Sequence, residues 1–219
     1  MELHSFLLFL RHPLKFYWVF KKCIIGFYDI FTLPLLANRV GHAIIQGKTD
    51  GVYGMSKIKN EPKYKNMPLQ AIRAQLEHRA FWLYLLCDEA GKRGLSWEDF
   101  GSAAVRRCGL SQGADLVKKA KTDSLVGLRK SLFTKPAQLV FEMDVLESTD
   151  DKLYIDFHYC PLVKAWQNAG CTDEEIAVLC DIAMCGDHGI GECFGSTLDL
   201  PKCIAKGDDV CSLRYNKIK

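Results

Sequence analysis

No uncharged apolar run in this chain approaches the roughly eighteen residues that a bilayer-spanning helix requires. Arg11, Lys15, Lys21, Lys22, Asp29 and Arg39 cut the first forty positions into short pieces, so a transmembrane protein is not expected. The chain also lacks strong charge of one sign. Its formal net charge of +3 comes from basic residues dispersed among acidic ones, which is not a phosphate-tracking surface and excludes nucleic acid as an expected partner. The apolar start from Met1 to Leu10 is interrupted by Arg11 and His12, and no small-residue cleavage site follows, so a reducing, cytoplasmic compartment is expected rather than export. There is no Cys-x-x-Cys knuckle and no His-x3-His pair, the spacings of common zinc sites. The glycines from Gly186 to Gly195 lack a preceding strand and the dinucleotide spacing, so they are no phosphate cradle.

What is abundant is cysteine, and it is clustered. Seven of the ten cysteines lie between Cys160 and Cys211, a concentration that suggests metal ligation, nucleophilic chemistry or disulfides. With 219 residues, 48% of them hydrophobic, the chain can bury a core without disulfide staples.

The pattern along the chain predicts an α+β fold: helices first, then an antiparallel sheet of two hairpins separated by two helices. Residues 1–45 carry the composition of amphipathic helices broken near Pro13 and Pro34, expected to pack on the rest of the protein or across a homodimer rather than on a membrane. Residues 46–67 read as a loop or connector, and 68–219 as one α+β domain. A helix is marked from Pro68 to Gly91 by apolar residues at helical spacing. Ser96 caps a shorter helix expected to stop by Gly109, and a further helix is expected over about 112–132. Alternation from Leu139 to Leu146 and from Leu153 to Tyr159 predicts a hairpin. Pro161 and the capping box Thr172–Glu175 open two helices, Gly186 to Gly195 reads as a loop, and Thr197–Ala205 with Val210–Tyr215 as a closing hairpin.

Three groups of residues can carry chemistry. Cys160 closes a strand and precedes a helix, where backbone N–H groups stabilise a thiolate, and His158 two residues earlier can shuttle its proton. Cys203 and Cys211 flank a tight turn and, with Cys180 from the preceding helix, can share zinc. Asp187 is a third candidate, as acid or base, between glycines that permit close approach of a ligand.

Asp156 to Cys160, Lys164 to Gly170, Leu179 to Asp181, and Cys203 to Tyr215 together resemble the L-2-amino-thiazoline-4-carboxylic acid hydrolase family, over about residues 68–216. Cys160, Cys180, Asp187, Gly207, Cys211 and Arg214 match its recurring positions. The resemblance implies hydrolytic opening of a small cyclic amidine or isothiourea substrate. Cys160 would be the nucleophile or a substrate-orienting thiolate, His158 its proton partner, Asp187 an acid, base or amidine-binding carboxylate, and Arg214 a binder of the substrate carboxylate. Alternatively, zinc on Cys180, Cys203 and Cys211 would activate water. A more distant likeness to 4-vinyl reductase type domains implies the other reading, a non-catalytic small-molecule-binding or sensor domain with structural zinc. The glutamate of that zinc pattern falls at Leu200.

The apolar pieces within residues 1–45 are too short to span a bilayer and too aromatic to face water without cost. Deleting them is expected to cause aggregation or loss of self-association, checked by light scattering. Salt-sensitive binding of the intact protein to anionic vesicles, with a truncated form that stays monomeric, would favour a membrane anchor instead.

Overall fold

A computed structural model describes residues 56–219. The expectations for residues 1–45, and for the connector up to 55, lie outside them. Six helices and a four-stranded antiparallel sheet make up the regular structure of this part, so the α+β expectation holds. Among the described residues, no helix is long and apolar enough to cross a membrane.

Helix α1 spans Met67–Gly91, with Asn66 accepting the Leu69 N–H as its cap and Pro68 in its first turn, where a missing N–H costs nothing. Helix α2, Trp97–Ala120, starts at the Ser96 cap but runs straight through Gly109. Lys121, in the left-handed region at φ 56°, ends it. The short α3, Leu125–Ser131, is a separate element capped by Ser124. One long and one short helix thus replace the expected break at Gly109 and the helix over 112–132. Gly109 is where α2 meets another backbone.

The first hairpin is also shorter than its alternation suggests. Residues 135–141 form helix α4 (Lys135–Phe141), and strand β1 covers only Met143–Ser148. The buried guanidinium of Arg73 explains the early helix end. It donates to Val140 O at 2.9 Å and to the Glu142 carboxylate at 2.9 Å, and it lies over the Tyr159 ring at 4.3 Å. Glu142, at φ 53°, turns the chain from helix into strand. Charges this deeply buried require such pairing.

Strand β2 (Lys152–Phe157) pairs with β1 and with β4 (Cys211–Lys217), and β3 (Ser196–Asp199) lies on the far side of β4, giving the order β1-β2-β4-β3. In register, Leu153 faces Tyr215, Ile155 faces Leu213 and Phe157 faces Cys211. These inward residues meet the helical layer, and each fully buried Leu or Ile contributes about 1.5–3 kcal/mol. The second hairpin is wider than expected: a 3-10 turn at Ile204–Lys206 occupies the connection.

Helices α5 (Pro161–Asn168) and α6 (Asp173–Cys193) separate the hairpins, as expected. Trp166 of α5, fully buried, donates its indole N–H to Ala80 O of α1 at 2.9 Å. Helix α6 opens with the Thr172–Glu175 capping box and then continues through Gly186, Gly189 and Gly191, so the expected loop at Gly186–Gly195 is helix until Cys193. The glycines serve packing. A side chain at Gly109 would collide with the Gly186 carbonyl, one at Gly189 would sit 2.7 Å from Arg106 O, and one at Gly101 would sit 2.8 Å from the Ile182 side chain. Contacts advance together along both helices, so α2 and α6 run parallel with their backbones touching. Gly109→Ala is expected to lower unfolding free energy by about 3 kcal/mol or more, because backbone cannot yield as a side chain would; chemical denaturation checks this.

Candidate active site around Cys160

Cys160 is the cap residue of α5, with extended backbone at φ −128° and ψ 111°. A buried side chain holds it there. Asn60 accepts the Cys160 N–H at 2.9 Å and donates its amide to Cys160 O at 2.8 Å. The strap carrying Asn60 is itself tied down, since Gln167 donates to Ile58 O at 3.1 Å and Lys164 pairs with Glu61 at 2.8 Å. The connector thus ends as a clamp on the cysteine. Nothing in its composition marked Asn60, because a loop asparagine is ordinary until its partner is known.

The electrostatics of Cys160 differ from expectation. N–H groups of Leu162 and Val163 favour its thiolate, as a helix start should, but burial dominates and pushes the thiol up to about 11, with Cys203 and Asp187 adding to the rise. Desolvation of a charge outweighs two backbone dipoles here.

His158 does not face this sulfur. His158 keeps the face of Asp144 and Asp156, and the alternation breaks between it and Cys160, the cap of α5, so residues 158 and 160 do not share a face. The His158 imidazole bonds the Asp144 carboxylate at 2.9 Å on the exposed side. Arg214 also lies elsewhere, on the sheet face opposite Cys211 and Tyr215. It donates to Asp156 at 2.7 Å and to Ile155 O at 3.1 Å, and Ser212 completes the Asp156 cluster.

Asp187 is brought in. It is half-buried on α6, desolvation pushes its carboxyl up to about 6, and the charge of exposed Arg79 on α1 offsets part of that rise. Its charge acts on both Cys160 and Tyr215. One helical turn after Asp187, Gly191 leaves room for the Tyr215 ring: a side chain there would lie 3.1 Å from Tyr215 Cε1. The fully buried Tyr215 hydroxyl has no hydrogen-bond partner among the described residues, and such a group calls for a functional or solvent explanation. Arg79 and Tyr215 escaped notice because one reads as a surface helix charge and the other as an inward strand aromatic.

The three other sulfurs do converge. Cys180 and Cys203 lie 3.6 Å apart, and Cys211 accepts the Ile204 N–H at 3.2 Å. Cys203 is not on a strand, so it neighbours Cys211 across the 3-10 turn rather than as a cross-strand pair. The sulfur contacts with Cys180 and Cys211, then the N–H groups of Ala205 and Lys206, hold the Cys203 thiol low, while the contact with Cys203 and burial push the thiols of Cys180 and Cys211 up. Among the described residues, no three or more His, Cys, Asp or Glu side chains are arranged to hold a metal ion.

Two measurements test these electrostatics. Because the folded-state pKa of Asp187 is raised, its contribution to stability is full below the ordinary value of 3.8 and is lost as pH rises through about 6. Asp187→Asn should therefore stabilise the fold by about 1–3 kcal/mol at pH 7, toward the lower figure for a half-buried group, and by little at pH 4. Melting curves at the two pH values decide. Separately, alkylation of Cys160 should accelerate up to about pH 11, and exposed Cys108 should react first at neutral pH; a Cys160 half-reacted near pH 7 contradicts the assignment.

Comparison with known proteins agrees with the sequence resemblance. The family model described as L-2-amino-thiazoline-4-carboxylic acid hydrolase matches residues 73–215. No curated protein matches the chain. A crystal structure of a trafficking protein particle complex subunit 3 from Naegleria fowleri, covalently bound to palmitic acid, is similar at 18% identity and TM-score 0.31, over 71% of this chain and 84% of that one.

Proposed function

The chain belongs to the L-2-amino-thiazoline-4-carboxylic acid hydrolase family, and from that premise we propose that it opens a small cyclic amidine or isothiourea substrate such as 2-amino-thiazoline-4-carboxylate. The observation that carries this reading is Cys160, clamped at the start of α5 by Asn60, within range of the charge of Asp187 on α6. A thiol raised to about 11 is a weak nucleophile at neutral pH unless a base accepts its proton as it attacks. Asp187, with its carboxyl near 6, is mostly ionised there and suits that task better than His158.

In the proposed reaction the Cys160 sulfur adds to the ring carbon between sulfur and nitrogen, and its proton passes to Asp187. The carbon–sulfur ring bond then breaks, and the departing sulfur takes that proton. Water adds to the resulting enzyme-bound isothiourea and releases a carbamoyl-cysteine and free Cys160. N–H groups at the start of α5 stabilise charge near the attacked carbon, and Arg79, rather than Arg214, is assigned to the substrate carboxylate.

Turnover of 2-amino-thiazoline-4-carboxylate, followed by mass spectrometry of the ring-opened product, tests the reading. Cys160→Ala should abolish it, and Asp187→Asn should lower kcat by about 10²–10⁴-fold. Arg79→Ala should raise KM more than it lowers kcat, and His158→Ala should change neither. Full activity in Cys160→Ala would overturn the covalent route.

A second reading is a small-molecule-binding domain with structural zinc on Cys180, Cys203 and Cys211, which requires those neighbouring thiols to rearrange, since as placed no three of the described residues are arranged to hold a metal ion. About one zinc per chain in freshly prepared, reduced protein, lost together with the fold on chelation, is its expected signature. Metal-free protein that keeps its fold would remove it.

A further inference from the structure

Cys180 on α6 and Cys203 at the 3-10 turn come from different layers, yet their sulfurs lie 3.6 Å apart. The hydrolytic reaction has no use for that contact. The surroundings hold it in place: Lys206 pairs with Asp181 at 2.8 Å, linking the neighbours of both cysteines, and the Asp208 carboxylate accepts the Cys203 N–H at 2.7 Å, which sets the turn. Cys211 is differently engaged, its sulfur accepting the Ile204 N–H.

We propose that Cys180 and Cys203 form a reversible oxidation site, closing to a disulfide in the presence of a hydroperoxide. A disulfide is about 2.05 Å long, so the sulfurs must approach by about 1.5 Å, a distance within reach of side-chain rotation and small shifts of the turn. Cys203, on the connection that opens, is the attacking sulfur: it caps the 3-10 turn, and the Ala205 and Lys206 N–H groups lie against it. It takes one peroxide oxygen as the O–O bond breaks, forming a sulfenic acid, and the other oxygen leaves as water with the thiol proton. The Cys180 sulfur then displaces the hydroxyl, which leaves as a second water with the Cys180 proton. Each sulfur loses one electron and the peroxide gains two. Both residues are buried, so this chemistry follows local opening of the 200–210 connection, and connectivity rather than rate identifies it.

The proposal is independent of the hydrolase reading, since its test needs no substrate. Full-length reduced protein, its metal content recorded, is treated with hydrogen peroxide, blocked with N-ethylmaleimide, digested and mapped. The expected product is a peptide linking Cys180 to Cys203, with those two of the ten thiols protected and both recovered on adding dithiothreitol. In Cys180→Ser the link should vanish and dimedone should label Cys203; should that variant not fold, the wild-type map decides alone. A link joining other cysteines, ten thiols that all remain alkylatable, or protection that disappears when a bound zinc is chelated overturns the proposal.

Discussion

The contact between α2 and α6 is the constraint on which the site depends. Two backbones meet at Gly109, Gly186 and Gly189, and at 109 and 189 any side chain would strike the opposite backbone. This contact fixes the position of α6, which carries Cys180 toward the closing turn and Asp187 toward Cys160. The glycines lower helix propensity by about 1 kcal/mol each relative to alanine. That cost is recovered in packing that a bulkier helix could not achieve.

Two pinned polar contacts complete the frame. Arg73 gathers the end of α4, Glu142 and the Tyr159 ring into one buried cluster, so the chain leaves helix for strand at a defined residue. Asn60 closes the other side by taking both backbone groups of Cys160. A side chain that satisfies a cap residue's donor and acceptor together restricts its backbone more than either bond alone. The sulfur is thereby held where the α5 dipole, Asp187 and the thiol cluster all act on it.

The elements best legible in the sequence were those specified by local chemistry. Asn66 and Pro68 start α1, the Thr172–Glu175 box starts α6, and Pro161 opens α5, each through groups a few residues apart. The elements misread were those where a local signal had a distant cause. Glycines at 109 and 186–191 normally break helices, and here they sit mid-helix because the α2 and α6 backbones lie against each other at Gly109 and Gly189 and the Tyr215 ring lies against Gly191. Leu139 to Phe141 alternate as a strand would, yet they close α4, and its last carbonyls are bound by Arg73, far away in the chain.

The same division holds for the site. By itself the sequence determined the α+β class, the family, the clustering of thiols and Cys160 at a strand-to-helix junction, because residue type and spacing carry these. Only the tertiary structure decided which groups meet. It turned His158 outward to Asp144 and Arg214 to Asp156, brought the charge of Asp187 to bear on the cysteine and that of Arg79 on Asp187, and raised rather than lowered the Cys160 thiol. The reason is physical: alternation and helix dipoles are local, whereas desolvation is set by everything that packs around a group, and no short stretch of sequence records that.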